Sequence, residues 1–120
     1  MSEVLRGITN KNLATNGYQE LPGGLILQWG SFTGTVNSGA GTTNTPMYQG
    51  SQSVTFPQPF PNAVVSITAT PRDNENIVLE YVNTGGRTLT SFSTLIGGIQ
   101  NQGTVPASTT ITVDWVAIGY

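Results

Sequence analysis

The side chains able to do chemistry are few. The carboxylates are Glu3, Glu20, Asp73, Glu75, Glu80 and Asp114, and the cations are Arg6, Lys11, Arg72 and Arg87. The chain has no histidine and no cysteine. Disulfides, thiol nucleophiles, thiolate metal sites and imidazole chemistry are therefore excluded together. A serine nucleophile without histidine needs a lysine base, and Lys11 lies in a sparse N-terminal stretch. A glycosidase needs two carboxyls facing each other across the scissile bond. Asp73 and Glu75 share a polar turn, where solvated acids are the rule. Glu80 and Asp114 fall on the polar faces of two strands. The expectation is that the protein is not an enzyme. No cofactor is called for, and no metal: Asp73-Asn74-Glu75-Asn76 lacks the spacing of a calcium loop. The pairs Gly23-Gly24, Gly85-Gly86 and Gly97-Gly98 open no helix, which a phosphate cradle requires.

Recognition without catalysis needs less. A saccharide is held by planar polar side chains that read paired hydroxyls and by an aromatic face against the C–H side of the ring. Tyr48, Arg72, Asp73, Asn74, Asn101 and Gln102 are of these types in loop-like sequence, and they are the candidate glycan-binding residues. Trp29 and Trp115 alternate inward and read as core.

Composition points the same way. Only 8% of residues are charged, against about 25% in an ordinary soluble domain. Thr, Ser, Asn, Gln and Gly take their place. Such a surface suits hydrogen bonding to neutral, hydroxyl-rich partners, or burial against copies of itself. The net charge is -2, and the scattered cations make no phosphate-tracking surface, so nucleic acid is not an expected partner. No run of 18 apolar residues exists, so no membrane insertion is expected. The N-terminus lacks the basic-then-apolar pattern of a secretory signal, so synthesis and folding in the cytoplasm of the cell that makes it are expected.

The elements that must position these residues are strands. Residues 1–20 are polar with sparse Val4, Leu5, Ile8 and Leu13, and read as an arm or connector ahead of one domain over 21–120. Pro22-Gly23-Gly24 is a turn signal. Leu25 to Phe32 reads as a strand with Leu25, Leu27 and Trp29 on one face and Ile26 and Gln28 on the other. Thr33 to Ser53 is low in bulk and reads as a long loop. Val54-Thr55-Phe56 starts a strand, and Pro57, Pro59 and Pro61 then force an edge or crossing segment. Ala63 to Thr70, Ile77 to Val82, Thr88 to Ile96 and Thr109 to Ile118 complete six strands. A six-stranded antiparallel β-sandwich follows, all-β in class. Several strands carry apolar residues on both faces, which a sheet with one solvated face does not need. Val78, Val82, Val116 and Ile118 are the candidate subunit-interface residues.

The order Asn16-Gly17-Tyr18-Gln19, Leu21-Pro22-Gly23-Gly24-Leu25, Gln28-Trp29-Gly30, Val54-Thr55-Phe56-Pro57, Phe60-Pro61-Asn62 and Trp115-Val116-Ala117-Ile118-Gly119-Tyr120 resembles the C-terminal tip domains of bacteriophage and prophage tail fibres. The resemblance spans residues 16–120. The second half also resembles the H-type lectins, trimeric six-stranded sandwiches that bind N-acetylgalactosamine. That likeness rests on Val54-Thr55-Phe56, Pro61 to Thr68, Asn76 to Val82 and Thr112 to Ile118. The lectin's sugar-binding residues do not carry over: its strand arginine falls near Val78, and its aromatic–histidine pair near Ile96 and Gly97. The resemblances imply a homotrimer at the tip of a tail fibre in the virion. They imply attachment to the fibre's shaft and binding to a bacterial surface polysaccharide of lipopolysaccharide or capsule type. The alternative expectation is a trimerisation or folding cap with no ligand of its own.

Overall fold

The structure is a computed structural model that describes residues 10–38, 47–73, 77–100 and 107–120. Asn74, Asn101 and Gln102 lie outside the described residues. Among the described residues, eight strands follow one another: β1 (Lys11–Asn12), β2 (Gly17–Glu20), β3 (Ile26–Ser38), β4 (Met47–Thr55), β5 (Val64–Pro71), β6 (Ile77–Gly85), β7 (Ser91–Gln100) and β8 (Ser108–Gly119). Every pairing is antiparallel. Hydrogen bonds run β1-β2-β3-β8-β5 through one layer and β4-β7-β6 through the other. The layers join where Asn37 and Ser38 pair with Gln49 and Tyr48. One sheet thus curls over and packs its two halves face to face, and the expected all-β antiparallel fold is what the chain forms.

Two clusters fill the space between the layers. The first is Ile26, Val54, Phe56, Phe60, Phe92, Trp115 and Ala117. The second is Val36, Tyr48, Ile96, Ile111 and Val113. Each draws on both layers, so their burial holds the layers together. The rings of Phe56, Phe60, Phe92 and Trp115 meet at centroid distances of 4.9–5.8 Å, mostly edge to face, the arrangement the ring quadrupoles favour. Phe60 is the anchor of the proline-rich crossing segment. Its N–H donates to Leu89 O at 2.8 Å, while Pro57, Pro59 and Pro61 ask for no partner.

Three expectations are corrected. Residues 33–38 and 47–53 are strand, not loop. Thr33, Thr35 and Asn37 point outward while Gly34 and Val36 are buried, a period-two pattern that small side chains hide. On β3 the inner face is Ile26, Gln28 and Gly30, not Leu25, Leu27 and Trp29. Gln28 tolerates complete burial because Nε2 donates to Gln58 O at 2.8 Å and Oε1 accepts from Gln58 N at 3.0 Å. Trp29 is half-buried on the outer face, its Nε1 donating to Ala14 O at 3.0 Å. Val65 is exposed because a register shift between Val64 and Ser66 turns it outward.

The expected turn at Pro22-Gly23-Gly24 is a backbone device. Gly23 and Gly24 have φ of 91° and 93°, and a Cβ at either would meet nothing within 4 Å. Gly24→Ala is therefore expected to cost about 1–2 kcal/mol from backbone strain alone. Thermal unfolding checks this: an unchanged Tm would mean that the turn is free to relax.

Candidate functional site

The outer face of the first layer has two halves, set by strand register. Antiparallel partners share a face. On β8, Ile118 pairs with Leu27 on one side and Ser66 on the other, and Val116 with Trp29 and Thr68. One step further, Asp114 pairs with Ser31 and Thr70, and Thr112 with Thr33. The rows thus change from apolar to polar between Val116 and Asp114. The apolar half lies at the end of the sandwich where the described chain enters, at Asn10, and the polar half runs toward the far end.

The polar half is organised around one ion pair. Arg72 follows the end of β5, held there by its N–H donating to Thr112 O at 2.7 Å. Its Nε and Nη2 donate to Asp114 Oδ2 and Oδ1 at 2.9 and 2.8 Å. This fork is bidentate, so both side chains are fixed, although each stays more than half exposed (59% and 53%). Beside it the hydroxyls of Thr33 and Thr112 are 2.8 Å apart. The result is an array of fixed donors and acceptors on the exposed face. Sequence reasoning singled out Arg72 and passed over its partner. The signal was the alternation that puts Asp114 outward on β8, but only the register brings β5 and β8 together.

The hydrogen bonds and charge of Arg72 hold the Asp114 carboxyl below its usual range, against the opposing effect of desolvation, and Asp114 raises the Arg72 guanidinium. A depressed folded-state pKa stabilises above the unfolded value and loses that stabilisation as pH falls through the folded value. The Tm difference between wild type and Asp114→Asn is thus expected to be present at neutral pH and to be lost as pH falls below the ordinary carboxylate range. A difference that persisted in acid would mean that the carboxylate's charge is not what matters.

A concavity of about 510 Å³ lies at the entry end. Glu20, Gly24, Leu25, Pro59, Asn62 and Tyr120 line it, among others. Asn10 closes one side: its Nδ2 donates to Glu20 Oε2 at 2.8 Å and its carbonyl accepts from Glu20 N at 3.0 Å. Asn62 and Ala63 both donate to Tyr120 O at 2.7 Å, and Tyr120 N returns a bond to Ala63 O at 2.9 Å. Segments near residues 20–25, 59–63 and 120, far apart in sequence, meet here.

The candidate residues fall in different places. Tyr48 is on β4 and fully buried in the second core cluster, so it offers no face to a ligand. Its reading as a loop residue is corrected, because β4 begins at Met47. Arg72 and Asp73 are exposed just past β5. Of the candidate interface residues, Val116 is 47% exposed and Ile118 half-buried, both on the apolar half of the outer face. Val82 pairs with buried Ile96 and packs on the second cluster, so it faces inward. The side chain of Val78 lies outside the described residues. Leu79 is the β6 residue that stands out, at 58% exposure.

Residues 20–120 match the family model described as tail fiber protein gp53-like, C-terminal. No curated protein matches the chain. Among solved structures, the C-terminal part of the P. aeruginosa R1 pyocin fiber has the same fold, with a TM-score of 0.68 and 20% identity over 92% of this chain. An N-truncated R1-type pyocin tail fiber gives 0.67 and 20% over 92%, and an R2-type fiber 0.60 and 23% over 92%. This chain spans 28%, 84% and 37% of those three chains. At these identities the solved structures speak for the fold. The family match covers most of the chain and includes the three segments that meet at the entry-end cleft, and with it the chain belongs to the gp53-like tail-fibre C-terminal family.

Proposed function

We propose that this domain is the receptor-binding tip of a bacteriophage tail fibre. It works as a homotrimer carried on the fibre's shaft in the virion. It attaches to a host surface glycan of lipopolysaccharide or capsule type and does not cleave it. Family membership is the observation that carries this reading. Chain direction supports it. The first described residue, Asn10, sits beside Glu20 at one end of the sandwich, so a shaft arriving there leaves the opposite half free to meet a cell. The division of the outer face supports it too, with apolar residues near the shaft for subunit contact and polar residues beyond. Three linked copies raise the avidity of weak saccharide contacts by orders of magnitude.

The test is competition. Excess purified domain, incubated with susceptible bacteria, blocks adsorption of the phage whose fibre carries it. Unimpeded adsorption, with the domain folded and trimeric, would contradict the reading. The exposed Val116 favours one second reading, a trimerisation cap without a ligand. In that case the domain leaves adsorption untouched, yet its removal prevents fibre assembly.

A further inference from the structure

We propose that the saccharide is uncharged and that the Arg72–Asp114 pair holds it by a pair of adjacent hydroxyls. This rests on the receptor-tip reading and narrows its ligand. Among the described residues, Arg72 is the one basic side chain in the half that points away from the entry end. Lys11 pairs with Gln19 on β1 and β2, and Arg87 reaches Val65 O, both at the entry end. The acids Asp73 and Asp114 lie beside it in the distal half. An anionic sugar arriving there meets a surplus of negative charge. It must also strip Arg72 from a bidentate carboxylate before it gains a counterion.

A neutral sugar meets no such penalty. Each carboxylate oxygen of Asp114 accepts one bond from Arg72 and has a lone pair left for a hydroxyl, and Arg72 has further N–H groups to donate. The fork fixes both partners before the ligand comes, so little side-chain order is lost on binding. Thr33, Thr112, Ser31 and Thr70 add hydroxyls on the same face, spaced by the strands.

The sign of one substitution decides between ligand classes. The experiment measures binding of the trimeric domain to whole bacteria of a strain that wild type binds. It compares Arg72→Gln and Asp114→Asn at low and high salt, with circular dichroism as the folding control. Both variants are expected to weaken binding roughly tenfold or more, because each removes a charge-assisted partner of the sugar. Wild-type binding is expected to change less than about twofold between ~50 and ~500 mM NaCl, since no net charge is neutralised. An anionic ligand gives the opposite: Asp114→Asn tightens binding by freeing Arg72, and salt weakens it steeply. Either of those results overturns the proposal, as does a folded pair of variants that bind like wild type. Wild type that binds no strain overturns instead the receptor-tip reading beneath it.

Discussion

Trp115→Ala is expected to destabilise the domain by roughly 3–5 kcal/mol, the range for removing a large aromatic from a packed core. That is a large share of the 5–15 kcal/mol that holds a typical domain together. The reason lies in the contacts. Trp115 is 3% exposed and its ring meets Phe56 and Phe92 at 5.8 and 5.4 Å. Gly30, the partner of Trp115 on the adjacent β3, leaves room for the ring, since a Cβ there would sit 2.8 Å from the indole. The void left by alanine therefore adjoins a position that has nothing to fill it. Trp115→Phe is expected to be milder, at about 1–2 kcal/mol. Phenylalanine keeps much of the ring packing, and it removes an indole N–H that has no partner among the described residues. Chemical denaturation separates these cases. The outer-face Trp29→Ala serves as the comparison and is expected to fall well short of Trp115→Ala, because it is half-buried and on the other side of the sheet. Equal losses for the two tryptophans would contradict the assignment of the inner face.

Val116→Asp is expected to abolish trimer formation while leaving the protomer folded. Val116 is 47% exposed in the single chain, so a carboxylate there meets water and costs the monomer little. In the proposed trimer it would sit unpaired against Leu27, Trp29 and Ile118, where a lone buried charge costs roughly 3–5 kcal/mol. That penalty recurs in every copy. Wild type is expected to have three times the 12.6 kDa mass of the chain, and the variant that mass once, with an unchanged circular dichroism spectrum. A variant that stays trimeric would move the interface elsewhere, and exposed Leu79 and Ile99 on the outer face of the second layer are the next place to look.

Much of the architecture was legible because apolar alternation reports strands directly. Ile111, Val113, Trp115 and Ala117 are the buried face of β8 as read, and five of the expected strands coincide with β3, β5, β6, β7 and β8, whereas the one expected to begin at Val54 is the end of β4. The misreadings share a cause. On β3 the more hydrophobic set, Leu25, Leu27 and Trp29, was assigned inward, whereas the buried set contains a glutamine. Gln28 is buried because the backbone of Gln58 satisfies both ends of its amide, and nothing local signals a partner 30 residues away. The strands within 33–53 were missed because threonine, glycine and serine carry little hydropathy contrast. The site was less legible than the fold. Arg72 could be chosen by type, but Asp114 becomes its partner only through the β5–β8 register. Tyr48 looked like a loop aromatic because its neighbours are polar, yet its alternation with Gly50 and Val54 faces the core.

The measurement that tests the central claim most directly is binding of the labelled domain to a panel of bacterial strains and their purified surface polysaccharides, with the mass in solution determined on the same sample. The account predicts a trimer that binds some strains saturably and others not at all. A trimer that binds no strain would contradict receptor recognition and leave an assembly cap. A monomer would contradict the arrangement on which both readings stand.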